Sequence, residues 1–124
     1  MSKYKYILEE DFHYQLEGIR LEKDFMGKDK KGRLWVFITQ NGILGILKGY
    51  AWDGATLAPD YPEIYEATLV HDALYQFLER GMPLSRKQID DIFLKMMENQ
   101  NFKYAKIYYR AVRLFGGIFV KLTR

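Results

Sequence analysis

The sequence predicts an α+β fold, with a small antiparallel β-sheet at the N-terminus followed by about three α-helices. Two observations carry this. Aromatic and β-branched runs flank an Asn41-Gly42 step in the first half, the strongest short hairpin signal a sequence offers. Apolar residues then recur at three- and four-residue spacing through the second half, between recognisable start and stop signals. The chain has 124 residues, close to the commonest domain size, and no linker or repeat divides it. One domain is expected over 1–124, β-rich over 1–50 and helical over 51–124.

Tyr4, Tyr6 and Leu8 alternate with Lys5 and Ile7 as in an edge strand. Asp29-Lys30-Lys31-Gly32 marks a turn before the run Leu34–Thr39. Asn41-Gly42 then leads into Ile43–Leu47, with both turn residues suited to positive φ. Three to four antiparallel strands are expected between Tyr4 and Tyr50. Pro62 suits the first turn of a helix, whose apolar face Ile64, Ala67, Val70, Leu74 and Leu78 runs until Gly81. Ser85 and Gln88 form a capping box that opens a second helix, with Ile89, Ile92, Phe93, Met96 and Met97 on one face. A third helix is expected from Phe102 to Phe115, ended by Gly116-Gly117.

Composition narrows the chemistry. The absence of cysteine excludes disulfides, thiolate zinc sites and a cysteine nucleophile. MSKYKYILEEDF lacks the apolar core of a secretory signal, and Leu114–Val120 is far shorter than the roughly 20 residues that span a bilayer. A protein with no transmembrane segment is expected. The formal net charge is +3. Lys95, Lys103, Lys106, Arg110, Arg113, Lys121 and Arg124 concentrate basic residues in the last third, among Tyr104, Tyr108 and Tyr109. Such a face suits an anionic membrane or nucleic acid, or is a solvated face with snorkelling stems. Pairing of Arg110 or Arg113 with Asp53, Asp60 or Asp72 is a further option.

One polar constellation stands out. At 100° per residue, His71 falls inside the arc of Ile64, Ala67, Leu74 and Leu78, so its imidazole points toward a partner helix. Asp72 lies on the polar margin. On the second helix Asp90 shares a stripe with Phe93 and Met97, whereas Asp91 points to solvent. A buried histidine held by a carboxylate is the orienter–base pair that activates water or a hydroxyl. The same pair also serves as a satisfied polar contact in a core, and Tyr75 as simple packing.

Four ordered motifs resemble one family. They are Gly49-Tyr50-Ala51-Trp52-Asp53-Gly54-Ala55-Thr56, Leu69-Val70-His71-Asp72-Ala73-Leu74-Tyr75, Ser85-Arg86 with Asp90 and Phe93, and Tyr109-Arg110-Ala111-Val112-Arg113-Leu114-Phe115-Gly116. They resemble the phage-associated domain of unknown function thirteen-fifty-three, whose members imply a place in the host cytoplasm or the virion and a phage or host protein as partner. His-Asp-x-x-Tyr followed by Asp-x-x-Phe is also similar to phospholipase A2, in particular the cysteine-free domain of parvovirus capsids. That resemblance implies a phospholipase A2-like helix pair acting on phospholipid, with His71 as general base, Asp90 as its orienter and Tyr75 as a supporting hydroxyl. It further implies Asp72 as a calcium ligand, with Trp52, Asp53, Gly54 and Thr56 standing where the calcium loop belongs. The glycine-rich loop of those enzymes is replaced here by Trp52-Asp53-Gly54, so Asp53 is either a second ligand to a hard cation or part of a turn. The implied function is a calcium-assisted ester hydrolase. The alternative is a non-catalytic phage accessory protein, for virion assembly or counter-defence, in which the cluster is structural.

Overall fold

The computed structural model describes residues 4–54 and 59–123, with side chains as far as Phe115. Among the described residues six strands precede three α-helices. The strands are β1 (Tyr6–Ile7), β2 (Phe12–Gln15), β3 (Phe25–Lys28), β4 (Leu34–Ile38), β5 (Ile43–Ile46) and β6 (Ala51–Trp52). A 3₁₀ turn at Pro62–Ile64 leads into α1 (Tyr65–Gln76), and α2 (Arg86–Asn99) and α3 (Ala105–Thr123) follow. The α+β class is as predicted.

The strands form two antiparallel sheets rather than one. Four strands pair in the order β2-β5-β4-β3, and β1 pairs separately with β6. In the larger sheet the side-chain period of two turns Val36, Ile38, Leu44 and Ile46 inward, where they are fully buried. The expected edge strand around Tyr6 is real, but its partner is Ala51–Trp52, with Tyr6 opposite Trp52. Residues 51 and 52 therefore belong to the β part, not to the helical half.

The hairpin is present with a different turn. The Gly42 amide donates to the Thr39 carbonyl at 2.9 Å, and the Thr39 amide to the Ile43 carbonyl at 2.9 Å. Among the described residues Gly42 has φ +85° while Asn41 stays at negative φ. That is a turn closed by one left-handed residue, not a two-residue turn with both residues at positive φ. A Cβ on Gly42 would also lie 2.5 Å from the Ile19 carbonyl oxygen, so glycine is required twice over.

The inner face of the larger sheet and the helical half share one buried core. Phe25 of β3 meets Phe77 edge-on at 6.0 Å between centroids. One buried core runs from Leu8 through Trp52 and Leu74 to Tyr108. Ser85 caps α2 as expected, accepting from the Gln88 amide while the Gln88 side chain accepts from the Ser85 amide.

Two helix ends differ from expectation. The first α-helix stops at Gln76, and the chain then turns until Gly81, at φ +92°, where the Met82 amide reaches back to the Phe77 carbonyl at 3.0 Å. The third starts at Ala105 and runs through Gly116-Gly117 to Thr123. Glycine costs only about 1 kcal/mol in a helix interior, so two of them weaken a long helix without ending it.

Candidate functional site: a histidine–aspartate pair where three helices meet

Helical spacing brings four side chains to one carboxylate. His71 and Tyr75 stand one turn apart on α1, and their rings are 4.2 Å apart. Across from them, α2 carries Asp90 beside Phe93, whose ring lies 4.7 Å from the imidazole. His71 Nε2 and Asp90 Oδ1 are 2.7 Å apart. The Tyr75 hydroxyl donates to the same oxygen at 2.6 Å. The second oxygen, Oδ2, accepts from Arg113 Nη1 of α3 at 2.7 Å. Arg86 Nε lies 4.0 Å from Oδ2 and donates to the Tyr75 hydroxyl at 2.9 Å. Arg86 also donates through Nη2 to the carbonyls of Val112 and Arg113, which ties the start of α2 to α3.

The electrostatics follow from this enclosure. Asp90 is 0% exposed, and burial alone would push its carboxyl upward. Hydrogen bonds from His71, Tyr75 and Arg113 outweigh burial and hold it below the ordinary carboxylate value. Asp90 is therefore ionised at neutral pH and can only accept. Burial, with the hydrogen bond to Asp90 next, raises the Tyr75 hydroxyl well above its usual range, so it remains a donor.

An acceptor-only partner assigns the histidine proton to Nε2. In its neutral form the imidazole carries its lone pair on Nδ1, the nitrogen that makes no hydrogen bond to a described residue. The His71 side chain keeps 10% of its surface accessible. The arrangement is an imidazole oriented by a carboxylate, with the carboxylate itself held by an arginine.

The neighbouring aspartate is a surface residue. Asp91 pairs with Lys87 at 2.8 Å and accepts from the Tyr109 hydroxyl at 2.6 Å. Arg113 meets Asp90 rather than Asp53, Asp60 or Asp72, and Arg110 is exposed. The basic pair expected from sequence is thus split between the site and the surface.

The segment expected to be a calcium loop is built differently. Trp52 is a strand residue, 0% exposed, whose indole donates to the Thr68 hydroxyl at 3.2 Å. It is a core anchor, not a loop residue. Asp53 Oδ1 accepts from the Lys5 amide at 3.0 Å, and Asp72 Oδ2 from the Tyr50 hydroxyl at 3.1 Å. Gly54 has φ +73°, and a Cβ there would fall 2.5 Å from Asp60 Oδ1. Asp60 in turn accepts from Lys5 Nζ at 2.5 Å and from the Tyr6 hydroxyl at 3.0 Å. Thr56 lies outside the described residues. Among the described residues no three His, Asp or Glu side chains converge as a metal site.

Sequence reasoning missed two partners as site residues, Arg86 and Tyr50. Arg86 was detectable, because it stands four residues before Asp90 on the same helix. Tyr50 gave no such signal, since its contact with Asp72 spans the sheet and the first helix.

A small α+β protein with a buried His–Asp pair at a three-helix junction is the class that this fold and site define. The chain belongs to the family described as protein of unknown function (DUF1353), whose model matches residues 20–112. The match thus starts well before the motif beginning at Gly49 and takes in β3 to β5. No curated protein and no solved structure matches the chain. Among the described residues no helix is long and apolar enough to cross a membrane.

Proposed function

We propose that this chain is a phospholipase A2-like ester hydrolase of phage origin, with His71 as the general base. The single observation behind the reading is the contact of His71 Nε2 with ionised Asp90 at 2.7 Å, which leaves the lone pair on Nδ1. In the proposed reaction Nδ1 takes a proton from water, and the hydroxide oxygen bonds to the ester carbonyl carbon. Collapse of the tetrahedral intermediate breaks the bond to the alcohol, which leaves with the proton held by His71. Asp90 offsets the charge of the transient imidazolium, and Tyr75 and Arg113 fix the carboxylate in place. Phospholipid is the proposed substrate.

Calcium at Asp72 and Asp53 belongs to this proposal as a separate question. No step of the reaction is routed through it. Calorimetry with millimolar calcium on the wild type and on Asp72→Asn tests it directly: binding heat lost in the variant supports the site, and no heat in either removes it.

The hydrolase reading is tested by fatty-acid release from phosphatidylglycerol vesicles. Release by the wild type and its loss in His71→Ala, with the fold intact by circular dichroism, is the expected result. A folded wild type that releases nothing overturns it.

One observation favours the second reading, a non-catalytic accessory protein for virion assembly or counter-defence. Asp90 draws on all three helices and has an arginine on the oxygen that His71 does not use, as a purely structural tie would.

A further inference from the structure

We propose that the outward face of α3 docks this protein on an anionic phospholipid surface. The helix has two unlike faces. Ala105 and Tyr108 are buried and Val112 packs against the core, while Arg113 turns toward Asp90. On the outer side Ile107 is 64% exposed, Leu114 71% and Phe115 45%. At 100° per residue Ile107, Ala111 and Leu114 fall on one stripe, with Phe115 at its margin. Isolated exposed apolar residues are ordinary, but a stripe of them along one helix marks a surface that meets something apolar.

Charge identifies the occupant. Lys103, Lys106 and Arg110 run along one flank of the stripe, and all three are exposed. From Asn99 to Arg124 the chain has six Lys and Arg residues and neither Asp nor Glu. An apolar stripe bordered by cations on a helix without acids fits the headgroup–acyl boundary of an anionic bilayer. There, aliphatic side chains enter the acyl region while Lys and Arg meet phosphate. A second copy of the chain is disfavoured, because an antiparallel two-fold pairing across this stripe sets the two basic flanks side by side, with no acid on the helix to offset them. Nucleic acid satisfies the cations but leaves Ile107 and Leu114 in water.

The docking proposal deepens the hydrolase reading, since it brings the chain to a phospholipid surface, and rests on it for its purpose. Binding is measured apart from chemistry. Co-flotation with vesicles of phosphatidylglycerol and phosphatidylcholine in equal parts should recover the full chain, whereas pure phosphatidylcholine vesicles should not. Binding should fall as salt rises, and Leu114→Ser with Ile107→Ser, or Lys106→Glu with Arg110→Glu, should each weaken it by about tenfold or more. These side chains are exposed, so the variants should keep the wild-type melting temperature. His71→Ala should bind as the wild type does. Absence of binding to the anionic vesicles overturns docking, even if a soluble ester is cleaved. Equal binding by the wild type and both double variants overturns it too. So does a dimer, or a complex with DNA, that Leu114→Ser disrupts while vesicles are ignored. Vesicle binding without fatty-acid release leaves docking standing and removes the hydrolase.

Discussion

Arg113 reaches across from α3 and donates to Asp90 Oδ2 at 2.7 Å, on the oxygen that His71 does not use. The carboxylate thereby joins all three helices. His71 and Tyr75 come from α1, Asp90 itself from α2 and the arginine from α3. A buried charge is tolerated only when its oxygens are filled, and here both are.

Replacing Asp90 should therefore cost far more than replacing its neighbour. Asp90→Asn removes the charge and replaces one acceptor oxygen by NH₂, so a donor is left facing either Arg113 or the His71–Tyr75 pair. A loss of about 3–5 kcal/mol is expected, as for other buried pairs with one partner removed. Asp91→Asn weakens only surface contacts and should stay within about 1 kcal/mol of wild type. Urea unfolding of the two variants checks the contrast, and equal midpoints would contradict the assignment of Asp90 to the interior.

Arg113→Met separates structure from chemistry. Without the guanidinium, Asp90 keeps His71 and Tyr75 but carries more of its charge toward the imidazole. The melting temperature should fall. If His71 is the base, the rate of fatty-acid release should fall as well, because the carboxylate that orients the imidazole is no longer fixed by the guanidinium. Release measured well below the melting temperature checks this, and an unchanged rate despite the lower melting temperature would assign Arg113 to stability alone.

Acid should unfold the protein partly through Asp90. Its carboxyl titrates below the ordinary value of 3.8 in the folded state because His71, Tyr75 and Arg113 outweigh the effect of burial. A lowered folded value means that the unfolded chain binds this proton more readily. The stabilisation is thus complete above the ordinary value and is lost as pH falls through the folded one. Unfolding free energies at pH 5 and pH 3 should show a smaller difference in Asp90→Asn than in wild type. Asp91 is lowered in the same direction by Lys87 and Tyr109, so Asp91→Asn serves as the surface control.

Thr68 holds the indole that joins the small sheet to α1. Its hydroxyl accepts from Trp52 Nε1 at 3.2 Å and donates to the Tyr65 carbonyl at 3.0 Å. Thr68→Val keeps the shape and strands the buried indole N–H, a cost of about 1–3 kcal/mol. Thermal unfolding should show the drop, whereas Thr68→Ser, which keeps the hydroxyl, should recover most of it.

The sequence by itself determined the α+β class, the hairpin at Asn41-Gly42, the cap at Ser85 and the choice of Asp90 over Asp91. These are local matters: turn residues, capping groups and the 100° step of a helix act within a few residues and leave a periodic mark. The facing of His71 and Asp90 was legible for the same reason, because each lies on the apolar side of its own helix. What the tertiary structure alone decided spans the chain. Tyr6 pairs with Trp52, Tyr50 meets Asp72, and Arg113 selects Asp90 over three other aspartates. No spacing rule encodes those choices, since they depend on which faces come together when the core is buried. The same burial turned Trp52 from an expected loop residue into a core anchor. A large aromatic side chain gains more from leaving water than a cation loop gains from keeping it at the surface.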